Sequence, residues 1–255
     1  MTLNLAHGRN LSLHQALVRR TALDGNLSRI AAALRREAPD VVALQEADGP
    51  SAWSGNVDHV EAVRDLAGFG HAFRGEHGSF RVRGFRASYG TALLSREPLR
   101  ETESVPFDLS WRDDKGFVRA VVDAPGFPDL EVVSVHLDFL RPKIRRRQAA
   151  RLIAELGERR GPRVLMGDFN CGWTGTDRCV LSTIASGLGL VAWRPHERLC
   201  SFPSFRPTTR IDWILASPGI RFRSYATSTA RVSDHLGVVA DITEMSPPAA
   251  QRAAG

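Results

Sequence analysis

The stretch Arg163-Val164-Leu165-Met166-Gly167-Asp168-Phe169-Asn170 ends an apolar run in a carboxylate, a spacer and an amide. Asp168 can take a proton or hold a cation, and the Asn170 amide can orient a water or a phosphoryl oxygen. If the backbone stays extended, these side chains, two residues apart, point to one side. A strand ending in an Asx turn uses the same residue types for no chemical purpose. Repetition weighs against that plainer reading. Other apolar runs end at Asn4, Glu46, His136 and Asp212, and Asp234-His235 precedes another. The set holds four carboxylates, two amides and two imidazoles. If they converge at one edge, the oxygen-rich site suits Mg²⁺ or Mn²⁺. No Cys/His spacing for structural zinc, no Gly-x-x-x-x-Gly-Lys phosphate loop and no Gly-x-Ser-x-Gly nucleophile motif is present.

The elements around these residues must position them. Leu3-Asn4-Leu5 alternates as a half-buried strand does, so Asn4 faces away from the leucines. Residues 7–25 read as a loop with room for a short helix. Asn26 is placed to cap a helix with the stripe Leu27, Ile30, Ala31 and Leu34, ended by Pro39-Asp40. Val41 to Leu44 reads as a buried strand with Gln45-Glu46 at its end. Asp48 to Ser51 is a turn, and residues 57–67 form a helix with Val57, Val60, Val63 and Leu66 on one side. Residues 70–90 read as loops and edge strands forming a substrate rim with 107–117 and 171–177. Tyr89 to Ser95, Val118 to Val122 and Leu130 to Val135 read as strands, the last two joined by a Pro-Gly turn.

The basic run Arg141 to Arg147 reads as the exposed start of a helix with apolar residues Ala149, Leu152, Ile153 and Leu156. Gly167 gives the central strand a backbone free to turn. A short helix covers 177–188 and a Pro-punctuated loop 201–209. Asp212, between large apolar neighbours, is costly unless paired or coordinated. Leu236 to Ile242 is a last strand. Strands outnumber helices, and helices follow several of them, which favours two packed sheets with helices outside in one α/β domain. That domain spans 1–245; residues 246–255 have the composition of a disordered tail.

The chain has 255 residues, 43% of them hydrophobic and 24% charged, as in ordinary globular proteins. No run approaches the roughly 20 apolar residues of a membrane span. The first residues lack the pattern of a signal peptide, so the expectation is a cytoplasmic protein. Cys171, Cys179 and Cys200 are odd in number and read as free thiols. The net charge is +6, but of 34 basic residues only Lys115 and Lys143 are lysine. Such arginine bias reflects composition more than a nucleic-acid surface. The charge permits a polyanion or an anionic membrane as partner and selects neither.

Six segments in order resemble the endonuclease/exonuclease/phosphatase superfamily, the fold of DNase I-like nucleases, neutral sphingomyelinases and inositol polyphosphate 5-phosphatases. They are Leu3-Asn4-Leu5, Val42-Ala43-Leu44-Gln45-Glu46, Ser134-Val135-His136-Leu137-Asp138, Gly167-Asp168-Phe169-Asn170, Arg210-Ile211-Asp212-Trp213-Ile214 and Ser233-Asp234-His235. The resemblance implies a four-layer α/β sandwich, two packed and mostly antiparallel β-sheets flanked by helices. It implies a cation, Mg²⁺ or Mn²⁺, held by Glu46 with Asn4 and Asp234. It implies His235, oriented by Asp212, as general base, with Asp168 positioning or deprotonating the water. Asn170 and His136 would stabilise the transition state. The His-Leu-Asp run and the segment from Ser201 to Asp212 look most like the sphingomyelinase-like and bacterial phosphohydrolase branch. Gly237 stands where the family often has Pro.

The expected function is phosphoester hydrolysis, most simply of a diester in a lipid headgroup or small molecule, by in-line attack of water. The alternatives are a weakly sequence-selective DNA or RNA nuclease, and a non-catalytic binding module. The second is disfavoured because Glu46, Asp168, Asp212 and His235 are all present. The expected partner is the phosphoester substrate, with no obligate protein partner.

Overall fold

Period-two alternation along the strands decides the layers. A computed structural model describes residues 1–9, 20–51, 56–82, 85–108, 115–173 and 178–245. The strands are β1 (Thr2–Asn4), β2 (Val41–Asp48), β3 (His71–Arg74), β4 (Gly78–Val82), β5 (Phe85–Ser95), β6 (Arg100–Pro106) and β7 (Gly116–Ala124). They continue with β8 (Phe127–His136), β9 (Arg163–Asp168), β10 (Val191–Ala192), β11 (Asp212–Ala216), β12 (Ile220–Thr227) and β13 (Val238–Glu244). The helices are α1 (Arg20–Glu37), α2 (His59–Ala67), α3 (Pro142–Leu156) and α4 (Arg178–Leu188). One sheet runs β12-β13-β1-β2-β5-β3, with β4 also on β5; the other runs β10-β11-β9-β8-β7-β6. Pairing is antiparallel except for β1 with β2 and β8 with β9. This is the expected four-layer α/β sandwich.

Three cores separate the layers. Ala43, Leu93, Val132, Val164, Met166 and Ile214 pack between the sheets. Leu3, Leu27, Ile30, Val42 and Val60 bury α1 and α2 against the first sheet. Val133, Val135, Leu152, Leu165, Ile184 and Trp213 bury α3 and α4 against the second. Each strand therefore sends alternate residues to a helix and to the other sheet. Where the inner positions turn polar, the sheets are still joined. Thr2 Oγ1 donates to Gln45 Oε1 at 3.2 Å, and Gln45 Nε2 donates to Ser134 Oγ at 3.1 Å.

Several expectations need correction. Asn26 lies inside α1, not at its start, and is buried. Its Nδ2 donates to Gly8 O at 2.9 Å, so it ties the β1 loop to the helix. On α2 the cap is Asp58, and Leu66 is exposed; His59, Val60, Val63 and Ala67 form the buried face. Residues 70–90 carry the expected edge strands, β3 and β4, but with less loop than expected, because both pair along a longer β5. Arg145, within the supposedly exposed basic run, is buried, and its Nη1 donates to Asp138 O at 2.6 Å. Gly167 makes no turn. A Cβ there would stand 2.0 Å from Val135 O, so glycine lets β8 and β9 approach. Among the described residues no helix is long and apolar enough to cross a membrane. The tail 246–255 and parts of the expected rim, 109–114 and 174–177, lie outside the described residues.

Candidate active site

Strand register assembles the first wall. Parallel pairing sets His136 of β8 opposite Asp168 of β9, and antiparallel pairing sets Asp212 of β11 opposite the same Asp168. Their neighbours Val135, Phe169 and Trp213 face the helices, so these three polar side chains face the other sheet. Asn4 of β1 meets them there: its Nδ2 donates to Asp168 Oδ2 at 3.0 Å, while its Oδ1 accepts from Ala6 N at 2.9 Å. His136 Nε2 stands 3.5 Å from Asp168 Oδ2.

His235 enters from the loop before β13. Its Nδ1 lies 2.9 Å from Asp212 Oδ2, and its Nε2 lies 3.8 Å from Asp168 Oδ2. The Ser201 hydroxyl donates to Asp212 Oδ2 at 2.5 Å. The Phe202 ring packs on His235 with centroids 4.8 Å apart. The buried carboxylate anticipated at Asp212 is thus paired, although its Oδ1 is buried without a hydrogen-bond partner.

The second wall comes from a β-bulge. The β2–β5 register shifts between Leu44 and Ala47, and Glu46 has φ 49°. An extra residue at a bulge re-aims its side chain. Gln45 keeps the inward position and Glu46 is turned to the strand-end site, rather than ending the strand. His7, also left-handed at φ 54°, puts Nε2 3.4 Å from Glu46 Oε2 and Nδ1 2.7 Å from Asp48 Oδ1. Arg9 Nη2 donates to Asp234 Oδ2 at 2.7 Å.

Electrostatics separates the roles. Burial, then the charge of Asp212, pushes the Asp168 carboxyl up to about 7. Burial alone would lower His235, but Asp212 and Asp168 outweigh it and raise it to about 10. Burial, then Lys115, holds His136 well below the usual imidazole value. Lys115 Nζ lies 3.4 Å from His136 Nδ1. A lysine ammonium only donates, so Nδ1 accepts and the ring proton sits on Nε2, toward Asp168. Burial would raise Glu46, yet His7, Lys115, His136 and His235 hold it below the usual carboxylate range. Asp234 is raised by burial, with Glu46 adding to the effect.

These residues fit a hard divalent cation. Glu46, an ionised carboxylate, and Asp234, whose proton affinity it raises, offer oxygen ligands of the type such an ion takes, and Asn4 Oδ1, which accepts from Ala6 N, keeps a second lone pair. Asp168, Asp212 and His235 also offer ligand atoms within 4.8 Å of one another. There, however, His235 and Asp212 already use one another.

Residues 1–235 match the endonuclease/exonuclease/phosphatase family. The chain belongs to that family. Endonucleases, exonucleases and phosphatases share one reaction, hydrolysis of a phosphoester bond, and this family member is a phosphoester hydrolase. An endonuclease/exonuclease/phosphatase from Beutenbergia cavernae is similar in structure, with TM-score 0.76 and 24% identity, covering 95% of this chain and 70% of that one. A mannosyl-6-phosphatase from Bacteroides thetaiotaomicron is similar at TM-score 0.64 and 16% identity, covering 86% of this chain and 91% of that one. Sphingomyelinase C from Streptomyces griseocarneus is similar at TM-score 0.64 and 18% identity, covering 94% and 97%. No curated protein sequence matches the chain.

Within this family member, Asn4, His136, Asp168, Asp212 and His235 are in one hydrogen-bonded neighbourhood, and Glu46 and Asp234 are electrostatically linked to it. Asn170 does not continue the extended geometry. Its φ is 51°, its N donates to Asp168 Oδ1 at 2.9 Å, and its Nδ2 donates to Leu137 O at 2.9 Å. The Asx turn is therefore present, and it fixes Asp168. Asp138 caps the next turn through Leu140 N and Arg141 N. His7, Asp48, Lys115 and Ser201 were not singled out from the sequence. The usable signals were spacing: Asp48 lies two positions beyond Glu46, and His7 three beyond Asn4.

Proposed function

We propose that this family member is a Mg²⁺- or Mn²⁺-dependent phosphodiesterase acting on a lipid headgroup or another small phosphoester. The carrying observation is the surroundings of Asp168 Oδ2, with Asn4 Nδ2, His136 Nε2 and His235 Nε2 at 3.0, 3.5 and 3.8 Å. One basic oxygen ringed by an amide and two imidazoles gives a water and a phosphoryl group complementary partners.

Glu46, with Asn4 and Asp234 beside it, would hold the cation, which supplies Lewis-acid polarisation of the phosphoryl oxygen and neutralises developing charge. Asp168 and His235 act as one proton-accepting unit for the attacking water. The acceptor is best matched to Asp168, whose proton affinity is balanced near neutral pH. His235, charged and oriented by Asp212, then faces the phosphoryl oxygens as a cation. His136, neutral with Nε2–H toward the site, is assigned to the transition-state and leaving oxygens, and Asn170, one of whose amide N–H groups is held by Leu137 O, would bring its second to them. Water is the nucleophile, because the nearby Ser201 hydroxyl is held by Asp212. The substrate class rests on the likeness of the His136-Leu137-Asp138 run and the segment from Ser201 to Asp212 to the sphingomyelinase-like branch.

The test is hydrolysis of bis(p-nitrophenyl) phosphate with Mg²⁺, with Mn²⁺ and with EDTA, using Asp168→Ala as control. Cation-dependent activity lost in the variant is expected. Hydrolysis of p-nitrophenyl phosphate but not of the diester would replace the diesterase reading with a monoesterase one.

A further inference from the structure

We propose that the rim of the active site is a docking surface for an anionic lipid bilayer, in which Phe139, Leu140 and Phe205 insert and Lys143, Arg146 and Arg147 face the headgroups. The inference rests on the lipid-headgroup reading above and adds the surface on which the enzyme works.

Among the described residues, Leu140 at 70%, Phe139 at 62% and Phe205 at 62% are the most exposed large hydrophobic side chains. All three stand on loops that leave the catalytic edge. Phe139 and Leu140 follow His136 at the end of β8. Phe205 lies in the loop whose Ser201 holds Asp212 and whose Phe202 packs on His235. β8 and β11 flank β9, so the two loops join the catalytic edge at strand ends on either side of Asp168. Their strand bases are about 10 Å apart, two inter-strand spacings.

The loops are held, so the exposure is built in. Asp138 accepts from Leu140 N at 3.0 Å and Arg141 N at 2.6 Å, and its own N donates to Gln148 Oε1 at 2.8 Å. Ser204 N donates to Asp234 O at 2.7 Å, and Arg206 N donates to Pro203 O at 3.0 Å. These bonds fix both turns while leaving their apolar tips in solvent.

The charge beside them is also unfavourable for the free protein. α3 begins at Pro142, has no acidic residue in its first turn, and exposes Lys143, Arg146 and Arg147. Lys143, in the first turn, opposes the helix dipole. None of the three is paired with a carboxylate among the described residues. A free phosphate or a nucleic acid would satisfy the charge but gives no use to an exposed leucine. Aliphatic and aromatic tips beside unpaired cations match a bilayer interface with anionic lipid.

The test is co-sedimentation of the full chain with phosphatidylcholine vesicles and with vesicles containing about 30% phosphatidylglycerol, a strongly anionic surface. Asp168→Ala is run in parallel so that cleavage does not alter the surface. Binding to the anionic vesicles, weakening with salt, is expected. The pair Phe139→Ser with Leu140→Ser, and the pair Arg146→Glu with Arg147→Glu, should each weaken it by at least ~10-fold. Both pairs should keep the thermal midpoint and the hydrolysis of bis(p-nitrophenyl) phosphate in solution. Absence of binding to anionic vesicles overturns the proposal. So does binding lost only with the arginines and accompanied by loss of duplex DNA binding, which would assign the rim to nucleic acid. Vesicle binding by a wild-type chain that hydrolyses neither test ester would sink the hydrolase reading and leave the docking surface standing.

Discussion

His7 Nδ1 stands 2.7 Å from Asp48 Oδ1, and the other ring nitrogen of His7 faces Glu46 Oε2 at 3.4 Å. This His–Asp pair occupies the wall opposite Asp212–His235. Ala6, His7 and Glu46 all have positive φ, at 47°, 54° and 49°. Non-glycine residues hold that conformation only where their surroundings impose it. The pair is placed to orient the carboxylate assigned to the cation. Glutamine puts an amide nitrogen where His Nε2 lies, and asparagine puts one where Nδ1 lies. His7→Gln should therefore bind Mn²⁺ nearly as the wild type does, while His7→Asn and His7→Ala should bind about 10- to 100-fold more weakly. Calorimetric titration with Mn²⁺ decides it: full affinity in His7→Ala would remove His7 from the cation's support.

On the proposed assignment of Asp168 and His235 as one proton-accepting unit, each should be indispensable on its own. Asp168→Ala and His235→Ala are expected to lower turnover at least ~10²-fold. Asp212→Asn should fall in the same range, because the amide removes the negative charge that raises and orients His235. Circular dichroism melts would show whether the variants remain folded. Wild-type turnover in any folded variant of the three would break the site assignment.

Gly167 tests the register that builds the wall. Its missing Cβ would overlap Val135 O at 2.0 Å, against backbone that cannot swing aside. Gly167→Ala should force β8 and β9 apart, displace His136 from Asp168, and destabilise the fold by more than about 2 kcal/mol. A urea melt matching the wild type would show that the strands tolerate a wider spacing.

Much of this arrangement is legible without coordinates, because alternation in the strands already separates Asn4 from Leu3 and Leu5, and Asp212 from Trp213. The row His136, Asp168 and Asp212 follows from three apolar runs ending in polar residues. What alternation could not reveal was non-local. β6 carries Arg100-Glu101-Thr102-Glu103, an exposed edge without an apolar face. β12 loses its period at a bulge between Phe222 and Ser224. The Glu46 bulge gives no compositional sign, and His7 reaches Glu46 only because β1 pairs in parallel with β2. Asn26 has a capping residue's chemistry, but its amide serves Gly8 O, a partner 18 positions away.

Proton linkage gives a test of the site that needs no substrate. In the cation-free protein, burial and then Asp212 push Asp168 up to about 7, while an unfolded aspartate titrates near ~3.9. Between roughly pH 4 and 7 the folded chain therefore binds more protons than the unfolded chain, and stability falls as pH rises. His235 acts in the same direction at higher pH. Burial opposes its charge, but Asp212 and Asp168 prevail and raise it to about 10. Its contribution is complete below about 6.5, the unfolded value, and is lost as pH rises through the folded one. Thermal melts in EDTA should show Asp168→Asn gaining on the wild type as pH is raised from 4 to 7, because asparagine carries no carboxyl to ionise against Asp212. A constant difference between the two chains across that window would mean that Asp168 is not raised, and would shift the water-activating role back to His235.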